Sequence, residues 1–152
     1  MCIRDRIISG VEPPPGDSIW EQSRWVDQDQ TLRRFMLDEP RGGVFKHVNL
    51  LVPAKHPDAD IGFIIMEPMA TPPMSGSNSI CVATVVLEMG IVEMIEPVTT
   101  VMLEAPAGLV EATAQCLDGK VTQVTVRNVP AFAAERDLQL DVDGVGLSLI
   151  HI

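Results

Sequence analysis

The sequence predicts an α/β fold (α+β) in which a buried helix is enclosed by strands, and three observations predict it. Residues 78–89 are apolar nearly all the way round, a pattern that suits a helix inside a protein shell and not one lying on a surface. Residues 98–127 are rich in β-forming side chains and carry Asp118-Gly119, a strong type I′ hairpin signal. Ser18, with Glu21 three residues on, forms a capping-box pattern that opens a separate helix.

Taken in order, Pro13-Pro14-Pro15-Gly16 precedes that first helix, which is expected to run for roughly twenty residues. Ile19, Trp20, Val26, Leu32, Phe35 and Met36 give it one imperfectly periodic apolar face, and Pro40 with Gly42-Gly43 ends it. Val44 to Val52 mixes aliphatics with Lys46, His47 and Asn49, and Ile61 to Met66 is a short apolar run; both suit strands. Pro68, Pro72 and Pro73 make the next stretch a loop that delivers the chain into Ser75. The central helix follows, about Asn78 to Met89, and stops at Gly90 in the C′ position. Its β-branched residues are poor intrinsic helix formers, so tertiary burial must hold it. Strands are then expected at Val98 to Glu104, Leu109 to Cys116, Lys120 to Arg127 and Leu138 to Val142.

A chain of 152 residues is long enough for one domain with a real core, and its 46% hydrophobic content argues for a folded segment. With no Tyr and four Phe, the packing should be mainly aliphatic. The formal net charge of −10 disfavours nucleic acid or an anionic membrane as a partner. No apolar run reaches the roughly 18 residues of a membrane span, and no basic segment leads into an apolar one at the start, so a cytoplasmic location is expected. Cys81 and Cys116 have no metal or redox spacing and are expected as buried small hydrophobes.

The two ends carry an unusual relation. Met1-Cys2-Ile3-Arg4-Asp5-Arg6 can be encoded by ATG TGT ATA AGA GAC AG, whose reverse complement spells Leu147-Ser148-Leu149-Ile150-His151-Ile152. Such a pair looks like the transposon-end adapter of sequencing libraries, so residues 1–6 and 147–152 are expected to be non-native and residues 7–146 to be an incomplete lobe of a longer protein.

For chemistry, the junction from Met74 to Val82 is the informative stretch. A small polar turn, Ser75-Gly76-Ser77-Asn78, runs straight into the apolar helix. Helix starts present unpartnered N–H groups and the positive end of the macrodipole, so a carboxylate can be received there without a basic side chain. Ser75 is the candidate reacting residue, with Gly76, Ser77 and Asn78 shaping the carboxylate nest; plain capping of the helix by Ser75 is the rival. His47 and His56 have no ligand-spaced partners, Met66, Met69 and Met74 suit core filling, and no metal site is expected. Glu67, Glu88 and Glu104 are isolated acids, one of which could face the site.

At Met74 to Val82 the chain resembles the proline racemase family, whose first-half signature is a Met-Cys-Gly-His-Gly turn at the head of a buried helix. Leu37-Asp38-Glu39-Pro40-Arg41-Gly42, Val48-Asn49-Leu50-Leu51-Val52-Pro53, Ile64-Ile65-Met66-Glu67-Pro68 and Leu103-Glu104-Ala105-Pro106-Ala107-Gly108-Leu109-Val110 are similar to hydroxyproline 2-epimerases and trans-3-hydroxy-L-proline dehydratases. The resemblance implies a diaminopimelate epimerase-like half, with a mixed, mostly antiparallel sheet wrapped around a central buried helix. It also implies a second lobe carrying the partner catalytic residue, a substrate such as proline or hydroxyproline, no cofactor, and a homodimer as an open possibility.

Where racemases carry the first catalytic Cys this chain has Ser75, and where they carry His and the second Gly it has Ser77 and Asn78. A serine hydroxyl is far less acidic than a thiol and is a poor base unless something deprotonates it. Dehydration of a 3-hydroxyproline asks less of it, because a hydrogen-bond donor can help the hydroxyl leave. The expected activity is therefore cofactor-independent proton abstraction at Cα, with trans-3-hydroxy-L-proline dehydratase first and 4-hydroxyproline 2-epimerase or proline racemase as alternatives. From another class, an inactive fragment or a non-catalytic binding module stays open.

Overall fold

The computed structural model describes residues 5–133, 138–142 and 146–150. Of the two end hexapeptides, residues 1–4 and 151–152 lie outside the described residues, whereas Asp5 and Arg6 belong to a short opening strand.

Six strands form one sheet in the order β1-β2-β3-β4-β5-β6: β1 (Asp5–Ile8), β2 (His47–Val52), β3 (Ile61–Met66), β4 (Val98–Ala105), β5 (Gly108–Leu117) and β6 (Lys120–Arg127). β1 pairs parallel with β2 and β3 with β4, while β2–β3, β4–β5 and β5–β6 are antiparallel. The sheet is thus mixed and mostly antiparallel. A separate two-stranded pair holds β7 (Leu138–Val142) and β8 (Gly146–Ile150).

Period-two alternation divides the core into two layers. Val48, Leu50, Val52, Ile64 and Met66 face α1 (Ile19–Gln28) and α2 (Thr31–Leu37) and pack with Ile19, Val26 and Leu37. Leu51, Phe63 and Ile65 point the other way and join Val82, Ala83, Val86 and Leu87 of α3 (Gly76–Glu88) with Val101, Leu103, Val110, Ala112 and Ala114. Because α3 contacts both edge strands, β1 and β6, as well as β4 and β5, the sheet curls around it. The central helix is therefore held by burial, as its poor intrinsic propensity requires.

Two expected features differ. In place of one long first helix, α1 ends at Gln28 and α2 begins at Thr31. Asp29 adopts extended backbone (φ −90, ψ 93), and its Oδ1 accepts from the Thr31 amide at 3.0 Å. A short acidic side chain thus offers the backbone a local alternative to the helical ladder. β2 starts at His47, not Val44, because residues 43–46 close a turn through Lys46 N to Gly43 O at 3.0 Å. The hairpin at Asp118-Gly119 is as expected, with positive φ at both positions (52 and 71). Gly90 closes α3 at φ 68, where an L side chain would be strained.

Among the described residues no helix is long and apolar enough to cross a membrane, and no group of His, Cys, Asp or Glu is placed to hold a metal ion.

Candidate active site

The loop before α3 is pinned at Thr71. Its amide donates to Asp27 Oδ1 at 3.1 Å, its hydroxyl to Ser23 O at 3.3 Å, and its carbonyl accepts from Arg24 at 3.2 Å. Further along, Pro73 O accepts from the Ala107 amide in the β4–β5 turn at 3.0 Å. α1 and the sheet together therefore fix where the chain enters Ser75.

Ser75 is the N-cap residue of α3, in extended conformation (φ −151, ψ 123), yet its side chain makes no capping hydrogen bond. Its carbonyl takes up the first turn, accepting from the Ser79 amide at 3.0 Å and the Ser79 hydroxyl at 2.9 Å. The amide hydrogens of Gly76, Ser77 and Asn78 are thus left without a side-chain cap at the positive end of the helix, the arrangement that receives an anion.

The Ser75 hydroxyl is engaged instead with two neighbours. Oγ accepts from Asn78 Nδ2 at 2.9 Å and lies 3.3 Å from Ser77 Oγ. Ser75 is half-buried, Ser77 exposed and Asn78 buried. The four residues singled out in the sequence therefore meet in one place, although Asn78 turns inward toward Ser75 and away from solvent. Asn78 Oδ1 in turn accepts from Asn49 Nδ2 at 3.1 Å. Sequence reasoning passed over Asn49; the available signal was an amide inside an otherwise aliphatic strand, at a position whose alternation with Val48 and Leu50 turns it inward.

From the mouth of α3 a cleft of ≈ 550 Å³ runs along the helix, lined by Ser77, Ile80, Cys81, Thr84 and Glu88 on one side and by β1 and β6 residues on the other. It lies between the two edge strands, so α3 is enclosed except along this stripe. Glu88 sits at its far end, where Lys120 Nζ at 2.9 Å and the Val121 amide at 3.1 Å donate to its carboxylate and hold its pKa below the usual range. Glu104 accepts from the Lys55 and His56 amides, and Glu67 lies 3.9 Å from His47. These three acids are therefore engaged in local contacts. Cys81 and Cys116 are buried, as expected.

Comparison with known proteins finds a family match for the chain. The proline racemase family model matches residues 3–151. A hydroxyproline epimerase from Agrobacterium vitis, solved with bound trans-4-hydroxy-L-proline, is similar at 47% identity and a TM-score of 0.86, with 94% of this chain and 43% of that one covered. A probable proline racemase from Agrobacterium radiobacter K84, solved with bound carbonate, is similar at 49% identity and a TM-score of 0.87, with 95% and 44% covered. Methylitaconate-delta-isomerase shares the fold at 19% identity and a TM-score of 0.54, with 76% and 55% covered. The chain spans less than half the length of the two Agrobacterium proteins.

Proposed function

The chain belongs to the proline racemase family, and from that premise we propose that it supplies one half of a cofactor-independent active site that removes and returns a proton at Cα of a hydroxyproline. The observation that carries this reading is the start of α3, which the Ser75 side chain does not cap, with the Ser75 hydroxyl beside the amides of the first turn. The substrate carboxylate sits on the Gly76 and Ser77 amides, with Asn78 buried behind them, where oriented N–H dipoles stabilise the negative charge that develops as the α-proton leaves. Ser75 Oγ faces Cα from one side. A base from the rest of the protein faces it from the other.

In epimerisation that base takes the α-proton on its own face while Ser75 gives its hydroxyl proton to the opposite face; the base then releases its proton to solvent and the serine oxygen recovers one from it. The 47%-identical relative with bound trans-4-hydroxy-L-proline favours a 4-hydroxyproline as substrate. A second reading is dehydration of trans-3-hydroxy-L-proline, in which the base takes the α-proton and Ser75 protonates the departing 3-hydroxyl, releasing water. It is favoured by a hydroxyl in place of a thiol at position 75, because a proton donor serves this step where a strong base is not required.

Both are tested by giving the complete gene product trans-4-hydroxy-L-proline and trans-3-hydroxy-L-proline in deuterated water. Deuterium at Cα of the 4-hydroxy substrate, with inversion, is the expected result. Loss of water from the 3-hydroxy substrate alone selects the second reading, and no change in either overturns both.

A further inference from the structure

β2 places Asn49 on the same face as Leu51, toward α3, and its side chain is completely buried. An amide in that position is unfavourable unless it is hydrogen-bonded. Asn49 Nδ2 donates to Asn78 Oδ1 at 3.1 Å, and Asn78 Nδ2 donates to Ser75 Oγ at 2.9 Å, so a directional chain runs from the sheet to the serine oxygen. Asn49 Oδ1 has no hydrogen-bond partner. Turning both amides over would reverse every bond in the chain, but it would put the Asn49 NH2 group where that oxygen lies. Orphaned buried N–H groups are worse tolerated than an under-satisfied carbonyl, so the direction from Asn49 to Ser75 is the favoured one.

We propose that Asn49 is a positioning residue for the reaction: through Asn78 it holds Ser75 Oγ as a hydrogen-bond acceptor on its inner side. Two consequences follow for the serine. Its own hydrogen must point away from Asn78, and Ser77 Oγ at 3.3 Å is the neighbour placed to accept it until a substrate does. The negative charge left on Oγ when that proton is given up faces an N–H already aimed at it, the arrangement that stabilises an oxyanion without reorganisation. This inference rests on Ser75 being the reacting group.

A merely structural Asn49 would tie β2 to α3 and affect stability alone, so the test reads the group at position 75 directly. In the complete protein carrying Ser75→Cys, the pH dependence of iodoacetamide alkylation, followed on the peptide containing that thiol by mass spectrometry, reports how well the site stabilises a thiolate. Adding Asn49→Leu should raise the thiol pKa and slow alkylation at pH 7 by about threefold to tenfold. Asn49→Asp, which keeps shape and size, should slow it further. An ionised carboxylate turns the Asn78 amide so that its oxygen, not its N–H, faces position 75.

With Ser75 intact, Asn49→Asp should lower kcat for the hydroxyproline substrate by about tenfold to a hundredfold with KM within twofold. Alkylation profiles unchanged by both Asn49 substitutions would overturn the proposal, whatever they do to the melting temperature. If Asn49→Leu does not fold, Asn49→Asp decides alone. An enzyme that leaves hydroxyprolines untouched, yet shows the expected alkylation profiles, would keep the relay and overturn the substrate.

Discussion

Asn78 Nδ2 donates to Ser75 Oγ across 2.9 Å, and Ser75, although it occupies the N-cap of α3, caps nothing with its side chain. The contact separates the two roles open to this serine. A capping hydroxyl accepts from a backbone amide of the first turn, and its loss costs about 1 kcal/mol. Ser75→Ala forfeits no such bond but strips the buried Asn78 Nδ2 of its acceptor, so it should destabilise by about 1–3 kcal/mol. Turnover should fall by more than about a thousandfold if Ser75 moves the proton. Denaturant unfolding and initial rates on the same preparations check both halves.

Gly76 supplies a second prediction. A Cβ built there meets nothing within 4 Å, so Gly76→Ala is free of clashes inside the protein and should raise helix stability by up to about 1 kcal/mol. A carboxylate seated on the adjacent amides would meet that methyl group. KM should rise by about tenfold or more while the melting temperature holds or climbs, and an unchanged KM would count against the carboxylate nest.

Gly62 provides a test of how α1 is seated. A Cβ there would come within 2.8 Å of Ile19 Cδ1 and 3.2 Å of the Val52 carbonyl oxygen. Gly62→Ala should therefore destabilise by about 1–3 kcal/mol through overpacking. Because Ile19 is a flexible side chain and Val52 O is backbone, combining it with Ile19→Val should recover part of that loss and not all of it. A double-mutant cycle in urea measures the coupling.

The Glu88–Lys120 contact predicts a pH dependence. Lys120 and the Val121 amide lower the Glu88 pKa from its ordinary value of 4.5. A depressed folded-state pKa contributes stability that is present above the unfolded value and is lost as pH falls through the folded one. Glu88→Gln should therefore be less stable than the parent at pH 6, and the gap should close as pH drops below 4.5 toward 3. With Lys120 well exposed, the gap should not exceed about 1 kcal/mol. Melting curves at pH 6, 4.5 and 3 for both proteins check the sign.

Much of this architecture was legible in the sequence for physical reasons. Ile80 to Leu87 has too many apolar faces for a surface helix, and Asp118-Gly119 suits a turn with two positive φ values; both features are present in the structure. The break at Asp29 was hidden, because an aspartate that competes with the helix and one that merely decorates it read alike. The four residues of the turn were singled out because a polar turn leading into an apolar helix is a contiguous signal. Asn49 was not singled out. Its significance comes from Asn78, twenty-nine residues away, and a long-range contact of that kind is set by the register and alternation of β2, which a linear pattern does not display. The acids tell the same story in reverse: Glu67, Glu88 and Glu104 stood out in the sequence, and each is engaged by a partner that a linear pattern does not name.

The central claim, that the start of α3 grips the substrate carboxylate with residue 75 beside Cα, is tested most directly by a crystal structure of the complete protein carrying Ser75→Ala with trans-4-hydroxy-L-proline bound. The expected result places a carboxylate oxygen within hydrogen-bond distance of the amides of Gly76, Ser77 or Asn78 and turns Cα toward position 75. A ligand whose carboxylate is held elsewhere, with those amides facing only solvent, would contradict it.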